Sequence, residues 1–211
     1  MCVVIHKPRE VLIPDDLLTA ALTLNHEGWG LMGFDANDDL IIERHAVSKY
    51  KQIAAALHSR RDADLVLHLR QRTRGTEGID NTHPFKLAEH LYLMHNGTLH
   101  LGQLGGSHAA GRSDTWHFVQ QVLRPLHQRY SGLLGDPTFL RLLEVALKPE
   151  NKVALLDARS KRIAILNREH GAEFEGLWLS NTRWIDRRLL PLVHAPQPQM
   201  RSYSADELCF A

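Results

Sequence analysis

The chain has 211 residues, 44% of them hydrophobic and 23% charged, with a formal net charge of +1 and two cysteines. That length fits one domain, residues 1–211, with enough apolar material for a full core. The near-neutral balance excludes a strong nucleic-acid footprint, no apolar run approaches bilayer-spanning length, and two cysteines make no disulfide framework in a chain this large.

The second residue is a cysteine. Methionine is ordinarily trimmed ahead of a small residue, so the mature chain is expected to open on Cys2. Cys2 would then carry a free α-amine beside its thiol. Such an amine titrates near neutral pH and is a general base for its own thiol. By position alone, Cys2 is an ordinary small residue at a chain start.

The β-branched run at 3–5 predicts that Cys2 leads into a strand. Pro14-Asp15-Asp16 predicts a helix start, with Leu17, Leu18, Ala21 and Leu22 on one stripe. The glycine-rich segment 26–34 leads into a strand, 40–42 reads as another, and the alanine-rich segment 48–57 as a helix. Residues 64–69 predict a short buried strand that runs into the polar stretch 70–85. Gly75, Gly78 and Pro84 mark that stretch as a loop over a site. A strand at 91–94 ends at His95-Asn96-Gly97, where Asn-Gly is a turn signal.

Residues 105–112 read as a flexible loop. Ser113 then caps a long helix with Phe118, Val119, Val122, Leu123 and Leu126 on its stripe. Asp136-Pro137 starts a helix that runs to 147. Segments 153–156 and 163–166 predict a hairpin, and 177–179 a last strand ending in Ser180-Asn181. The proline-rich tail from 191 is expected to wrap the surface. Strands and helices come in blocks, which favours an α+β fold with antiparallel sheets. The 14 histidines are scattered without metal-binding spacing, so most read as core or surface residues.

Four pieces in fixed order resemble the class II glutamine amidotransferases, a family of N-terminal-nucleophile hydrolases. They are Cys2, HLRQRTRG at 68–75, NTHPF at 81–85 with HNGTL at 95–99, and SDT at 113–115. HEGWG at 26–30 looks like a stretch of the short stand-alone members. Beyond about residue 120, only GLWLSN at 176–181 looks familiar.

The resemblance implies a four-layer αββα sandwich, with two antiparallel sheets face to face and helices outside. It implies Cys2 as nucleophile and Asn96 with Gly97 as the oxyanion hole. It further implies Arg70 on the α-carboxylate of glutamine, Asp114 on its α-ammonium, and Thr73 lining the pocket.

The chemistry fits these residue types. A guanidinium binds a carboxylate through two parallel hydrogen bonds, and an amide N–H beside a glycine N–H suits a developing oxyanion. Each also has a plainer reading. Asn96-Gly97 reads as a hairpin turn, Arg70 as a surface salt bridge and Asp114 as a helix cap. His83 and His95 read as loop braces.

Four positions depart from the family. Arg72 stands where a small residue is usual, Gln71 replaces an aromatic, Glu27 replaces an aspartate and Trp116 replaces an acid after SDT. Arg72 and Trp116 bear on the shape of the pocket.

The expected activity is cleavage of a γ-glutamyl amide through a Cys2 thioester, without metal or organic cofactor. Ammonia would pass to a separate synthetase subunit. Two alternatives stay open: a stand-alone γ-glutamyl amide hydrolase acting on a larger conjugate, and a catalytically inactive binding module. Neither nucleic acid nor membrane is expected as a partner. The absence of a signal-peptide pattern in the first ten residues makes the cytoplasm the expected location.

Overall fold

A computed structural model describes residues 2–101 and 111–185. Its strands are β1 (Val3–Lys7), β2 (Trp29–Phe34), β3 (Leu40–His45), β4 (Asp64–Leu69), β5 (Phe85–Lys86), β6 (Leu91–Asn96), β7 (Lys152–Asp157), β8 (Arg162–Leu166), β9 (Ala172–Phe174) and β10 (Leu177–Leu179). Its helices are α1 (Asp15–Leu24), α2 (Tyr50–His58), α3 (Asp114–Phe118), α4 (Arg124–Arg129) and α5 (Pro137–Leu147). The strands form two sheets, ordered β3-β2-β4-β1-β10-β9 and β5-β6-β7-β8, with antiparallel pairing throughout. No helix among the described residues is long and apolar enough to cross a membrane.

Side chains alternate across a strand, so each strand sends residues to two different cores. In the larger sheet, Val3, Ile5, Leu31, Leu65, Leu67 and Leu69 pack against Leu17, Leu18 and Ala21 of α1 and Ile53 of α2. Val4, Met32, Phe34, Val66 and Trp178 point the other way and meet Met94, Ala154 and Leu156 of the smaller sheet. The opposite face of the smaller sheet, with Leu93, Val153 and Leu155, packs on Phe118, Leu123 and Leu147. Three apolar layers therefore lie between four layers of structure. This is the αββα sandwich expected from the resemblance.

The structure corrects three details. Asn96-Gly97 is not a hairpin turn, because β6 pairs with β5 and β7 and the chain leaves the sheet at Gly97. The long helix after Ser113 is interrupted by a wide π-type turn over Val119–Leu123, where the Arg124 N–H reaches back to the Val119 carbonyl. Pro125 is the physical reason: it has no N–H to donate, and its ring would collide with the carbonyl one α-turn earlier. The short strands β5 and β9 were not expected. Most of the loop expected at 105–112 and the whole tail from 191 lie outside the described residues.

Candidate active site at the sheet ends

Alternation also sets which side chains converge at one end of the sandwich. Val4 faces the layer between the sheets, so Cys2, two positions earlier, points into the end of the same layer. Arg70 follows the same parity from Val66 and His68, and Asn96 follows it from Met94. Because Val3 pairs with Leu69, Cys2 comes to lie opposite Arg70. On the other side of β1, the Ser180 hydroxyl accepts from the Val4 N–H at 2.8 Å, which brings Asn181 up to Cys2.

The Cys2 main-chain carbonyl is held twice. The Asn96 amide donates to it at 2.5 Å and the Asn181 amide at 2.9 Å. Asn181 also donates to the Asn96 side-chain oxygen at 3.1 Å, which fixes which end of the Asn96 amide is the nitrogen. Asn181 is fixed in turn. Its side-chain oxygen accepts from the Arg183 N–H at 3.4 Å, and its carbonyl accepts from the Trp184 indole at 2.9 Å. One hydrogen of the Asn96 amide thus goes to Cys2, and the second has no acceptor among the described residues.

The Cys2 thiol donates to the Gln71 carbonyl at 3.3 Å. Burial pushes the thiol pKa up, and Asp114 adds to this. The Gln71 main chain and the Arg70 guanidinium pull it down. Burial dominates, so the thiol needs a base to ionise.

Arg70 is 3% exposed. One of its terminal nitrogens donates to the Thr76 carbonyl at 2.9 Å, while the other, Nη1, is buried with no hydrogen-bond partner among the described residues. A buried guanidinium nitrogen left unpaired is costly unless something polar completes it. Asp114 opens α3 beneath the Ser113 cap. Its carboxylate accepts from the Leu99 N–H at 2.7 Å and the Thr115 N–H at 2.9 Å. It therefore both caps the helix and holds the segment that follows Gly97. Thr73 is exposed on the 70–85 loop.

That loop is stapled. The Asn81 amide donates to the Thr76 and Gly111 carbonyls at 2.9 and 2.7 Å, and its oxygen accepts from the Ser113 N–H at 2.8 Å. One buried side chain thus ties the carbonyl that holds Arg70 to the helix that carries Asp114. Arg72 is taken up by Glu27, which accepts from its main-chain N–H, and by Glu77 at 3.1 Å. Trp116 lies under the Arg112 guanidinium, 5.3 Å from ring centre to Arg112 Cζ, and packs on the core outside the smaller sheet. Cys2 points into the different layer between the sheets.

Below the site, polar residues brace the strands. His95 bonds Asn151 at 3.0 Å and Thr115 at 2.8 Å. The Asn151 oxygen can only accept, so His95 Nε2 carries the proton and Nδ1 accepts from the threonine hydroxyl. Gly97 sits against the same asparagine: a Cβ there would lie 2.2 Å from Asn151 Oδ1. His83 stacks on His68 with ring centres 4.0 Å apart, and the His83 carbonyl approaches Gly30 so closely that a Cβ there would lie 2.0 Å away. Burial lowers all three histidine pKa values, that of His68 to about 3, so the rings are neutral.

The structure therefore brings Cys2, Arg70, Asn96, Gly97 and Asp114 to one end of the sandwich, with Thr73 exposed on the loop that follows Arg70. Sequence reasoning assigned no role to Asn181, Asn81 or Asn151. Asn181 had a signal in the GLWLSN piece, and Asn81 opens the NTHPF piece.

The family model for glutamine amidotransferases class-II matches residues 18–152. Arg70, Thr73, Asn96, Gly97 and Asp114 fall inside the match, and Cys2 lies ahead of it. Among solved structures, the chain is similar to the glutamine phosphoribosylpyrophosphate amidotransferase from B. subtilis. Identity is 14% and the TM-score 0.49, over 92% of this chain and 44% of that one. It is also similar to a glutamine aminotransferase class-II domain protein from Silicibacter pomeroyi, at 14% identity and a TM-score of 0.36, over 75% of this chain and 73% of that one. The chain thus spans less than half the length of the first of these. No curated protein matches it.

Proposed function

The chain belongs to the class II glutamine amidotransferases, and from that premise we propose that its mature form, opening at Cys2, cleaves the γ-carboxamide of glutamine through a covalent thioester. The free α-amine of Cys2 takes the thiol proton, directly or through one water. The sulfur attacks the carboxamide carbon, and the resulting oxyanion accepts from the second hydrogen of the Asn96 amide and from the Gly97 N–H. The α-ammonium returns its proton to the departing nitrogen, the C–N bond breaks and ammonia leaves. Water, deprotonated by the same amine, then attacks the thioester, and glutamate departs with the thiol restored. A single oxyanion donor contributes about 3–4 kcal/mol to such a barrier.

Arg70 Nη1 completes itself on the substrate's α-carboxylate, and Asp114 takes the α-ammonium with its remaining lone pairs. Thr73 sits at the rim of this head-group pocket. The ammonia is passed to a separate synthetase subunit. A second reading, hydrolysis of a larger γ-glutamyl conjugate, gains support from two cations, Lys152 paired across the ladder with Asn96 and Arg183 bonded to Asn181.

One observation carries the proposal: the buried Asn96 amide, pinned by Asn181 and bonded to the main chain of Cys2, still has one hydrogen to give. The test is incubation of protein with a verified Cys2 amino terminus with a glutamine-like diazo ketone, followed by peptide mass spectrometry. Labelling of Cys2, with loss of glutaminase activity in Cys2→Ala, is expected. An unlabelled Cys2 in correctly trimmed protein refutes the mechanism.

A further inference from the structure

Asn96 pairs across the ladder with Lys152, the first residue of β7. Lys152 shares its face with Ala154 and Leu156, and Asn96 shares the same face with Met94. Facing residues on adjacent antiparallel strands have Cβ atoms about 5 Å apart. Lys152 therefore stands beside the oxyanion amide, at the open end of the layer between the sheets. It is half-buried, and no carboxylate among the described residues lies within ion-pair distance of it. Glu150 attracts it from farther off.

Arg183 supplies a second cation. It lies in the turn that fixes Asn181, to whose side chain its N–H is bonded at 3.4 Å. Arg183 is exposed and acts electrostatically on Lys152, and burial and this like charge together disfavour the lysine's charged form. Two cations that repel beside a reactive centre are stabilised by an anion shared between them.

Topology indicates where that anion comes from. Cys2 opens β1, whose neighbours in the sheet are β4 on one side and β10 on the other. Arg70 follows β4, while Asn181 and Arg183 follow β10. The grip on the glutamyl head and the cation pair thus flank the nucleophile on opposite sides. A substrate whose head lies on Arg70 extends its leaving amine toward Lys152 and Arg183.

We propose that Lys152 and Arg183 form a subsite for an anionic group, a carboxylate or a phosphate, carried by the leaving amine. The preferred substrate is then the γ-glutamyl amide of an anionic amine rather than glutamine. This rests on the reading of Cys2 as a nucleophile toward γ-glutamyl amides and adds the class of the second product. The chemistry balances as before: the C–N bond breaks, the amine nitrogen takes the proton from the α-ammonium of Cys2, and the amine leaves with its anion.

The test compares γ-glutamylglycine (carboxylate), γ-glutamyl-phosphoethanolamine (phosphate) and γ-glutamylmethylamide (neutral) by glutamate release. The proteins are wild type, Lys152→Met with Arg183→Gln, and the charge-conserving Lys152→Arg. Wild type is expected to favour an anionic substrate over the neutral one in kcat/KM by about tenfold or more. That ratio falls toward unity in the double variant, is largely kept in Lys152→Arg, and shrinks with added salt. Whichever anionic substrate is favoured identifies the anion.

A second readout needs no turnover: the rate of Cys2 alkylation by iodoacetate relative to iodoacetamide, expected to drop several-fold in the double variant. Glutamate release with both ratios unchanged between wild type and double variant overturns the anion subsite alone. No glutamate from any substrate, with the alkylation ratio still falling, overturns the hydrolase reading and leaves the subsite standing.

Discussion

Asn181→Ala removes the two shorter bonds that the Asn181 amide donates, to the Cys2 carbonyl at 2.9 Å and to the Asn96 oxygen at 3.1 Å, along with a 3.5 Å contact to the Ser180 hydroxyl. Each such bond contributes about 0.5–1.5 kcal/mol net, so folding stability should fall by about 1–3 kcal/mol. The larger consequence is for Asn96. With its oxygen unpinned, the amide no longer holds its nitrogen toward the oxyanion. The loss is bounded below by about one hydrogen bond and above by a whole oxyanion donor, about 3–4 kcal/mol. A fall in kcat of about 10- to 100-fold is expected, equivalent to about 1.4–2.7 kcal/mol. KM should stay near its wild-type value, because the proposed head-group grips, Arg70 and Asp114, are untouched. The assay is steady-state glutamine hydrolysis by wild type, Asn96→Ala, Asn181→Ala and the double variant. If Asn181 works through Asn96, its loss costs much less once Asn96 is gone, and the cycle is strongly non-additive. Equal kcat losses with and without Asn96, or a raised KM at unchanged kcat, refute the reasoning.

Gly97→Ala places a Cβ 2.2 Å from Asn151 Oδ1 at a φ of +147° that side chains rarely adopt, so stability should fall by about 2–4 kcal/mol in chemical denaturation, with loss of activity. His68, His83 and His95 have folded pKa values below the ordinary 6.5, that of His68 at about 3. The unfolded chain therefore binds more protons. Their contribution to stability is complete above the unfolded value near 6.5 and is lost as pH falls below it, for His68 down to about 3, at up to about 1.4 kcal/mol per pH unit for each ring. Urea unfolding between pH 7 and 5 should show this slope, reduced by about one proton in His68→Gln. Asn81→Ala cuts the staple between the 70–85 loop and the Ser113 cap. Limited proteolysis should then cut within 71–80 at least several-fold faster, with a higher KM for glutamine, since the carbonyl that holds Arg70 moves with that loop.

Most of the architecture was legible because it rests on local signals. β1 and β4 read as strands from β-branched and apolar runs, and α5 from an Asp136 cap whose side chain does accept from the Phe139 N–H. β5 and β9, two and three residues long, are too short to show a period, and their pairing partners alone make them strands. Pro125 was visible as a breaker but was outweighed by the apolar stripe around it. For the site, the spaced motifs singled out Cys2, Arg70, Asn96, Gly97 and Asp114, which the fold gathers at one end of the sandwich. Asn181 stands 179 positions from the carbonyl it bonds, and Lys152 meets Asn96 only through the register of β7 on β6. No window along the chain contains such pairings.

The convergence of the site follows from strand parity. Cys2 and Arg70, one step beyond β1 and β4, and Asn96 and Lys152, at the ends of β6 and β7, are the outermost inward-facing positions at one end of the sandwich. Along each strand the same face is apolar in the middle: Val4, Val66, Met94 and Ala154. The change from apolar to polar falls at the histidine pair His68–His83, and Gly30 leaves room for the His83 main-chain carbonyl. A slip of one residue in any of these strands would turn its polar end toward the helices and its neighbours' apolar residues inward. The apolar cores on both faces therefore enforce the register that gathers these polar residues at one end. Pairing energy spread along β1 fixes the side to which a single sulfur at its first step points, and the Ser180 and Asn181 bonds at the strand's mouth secure it.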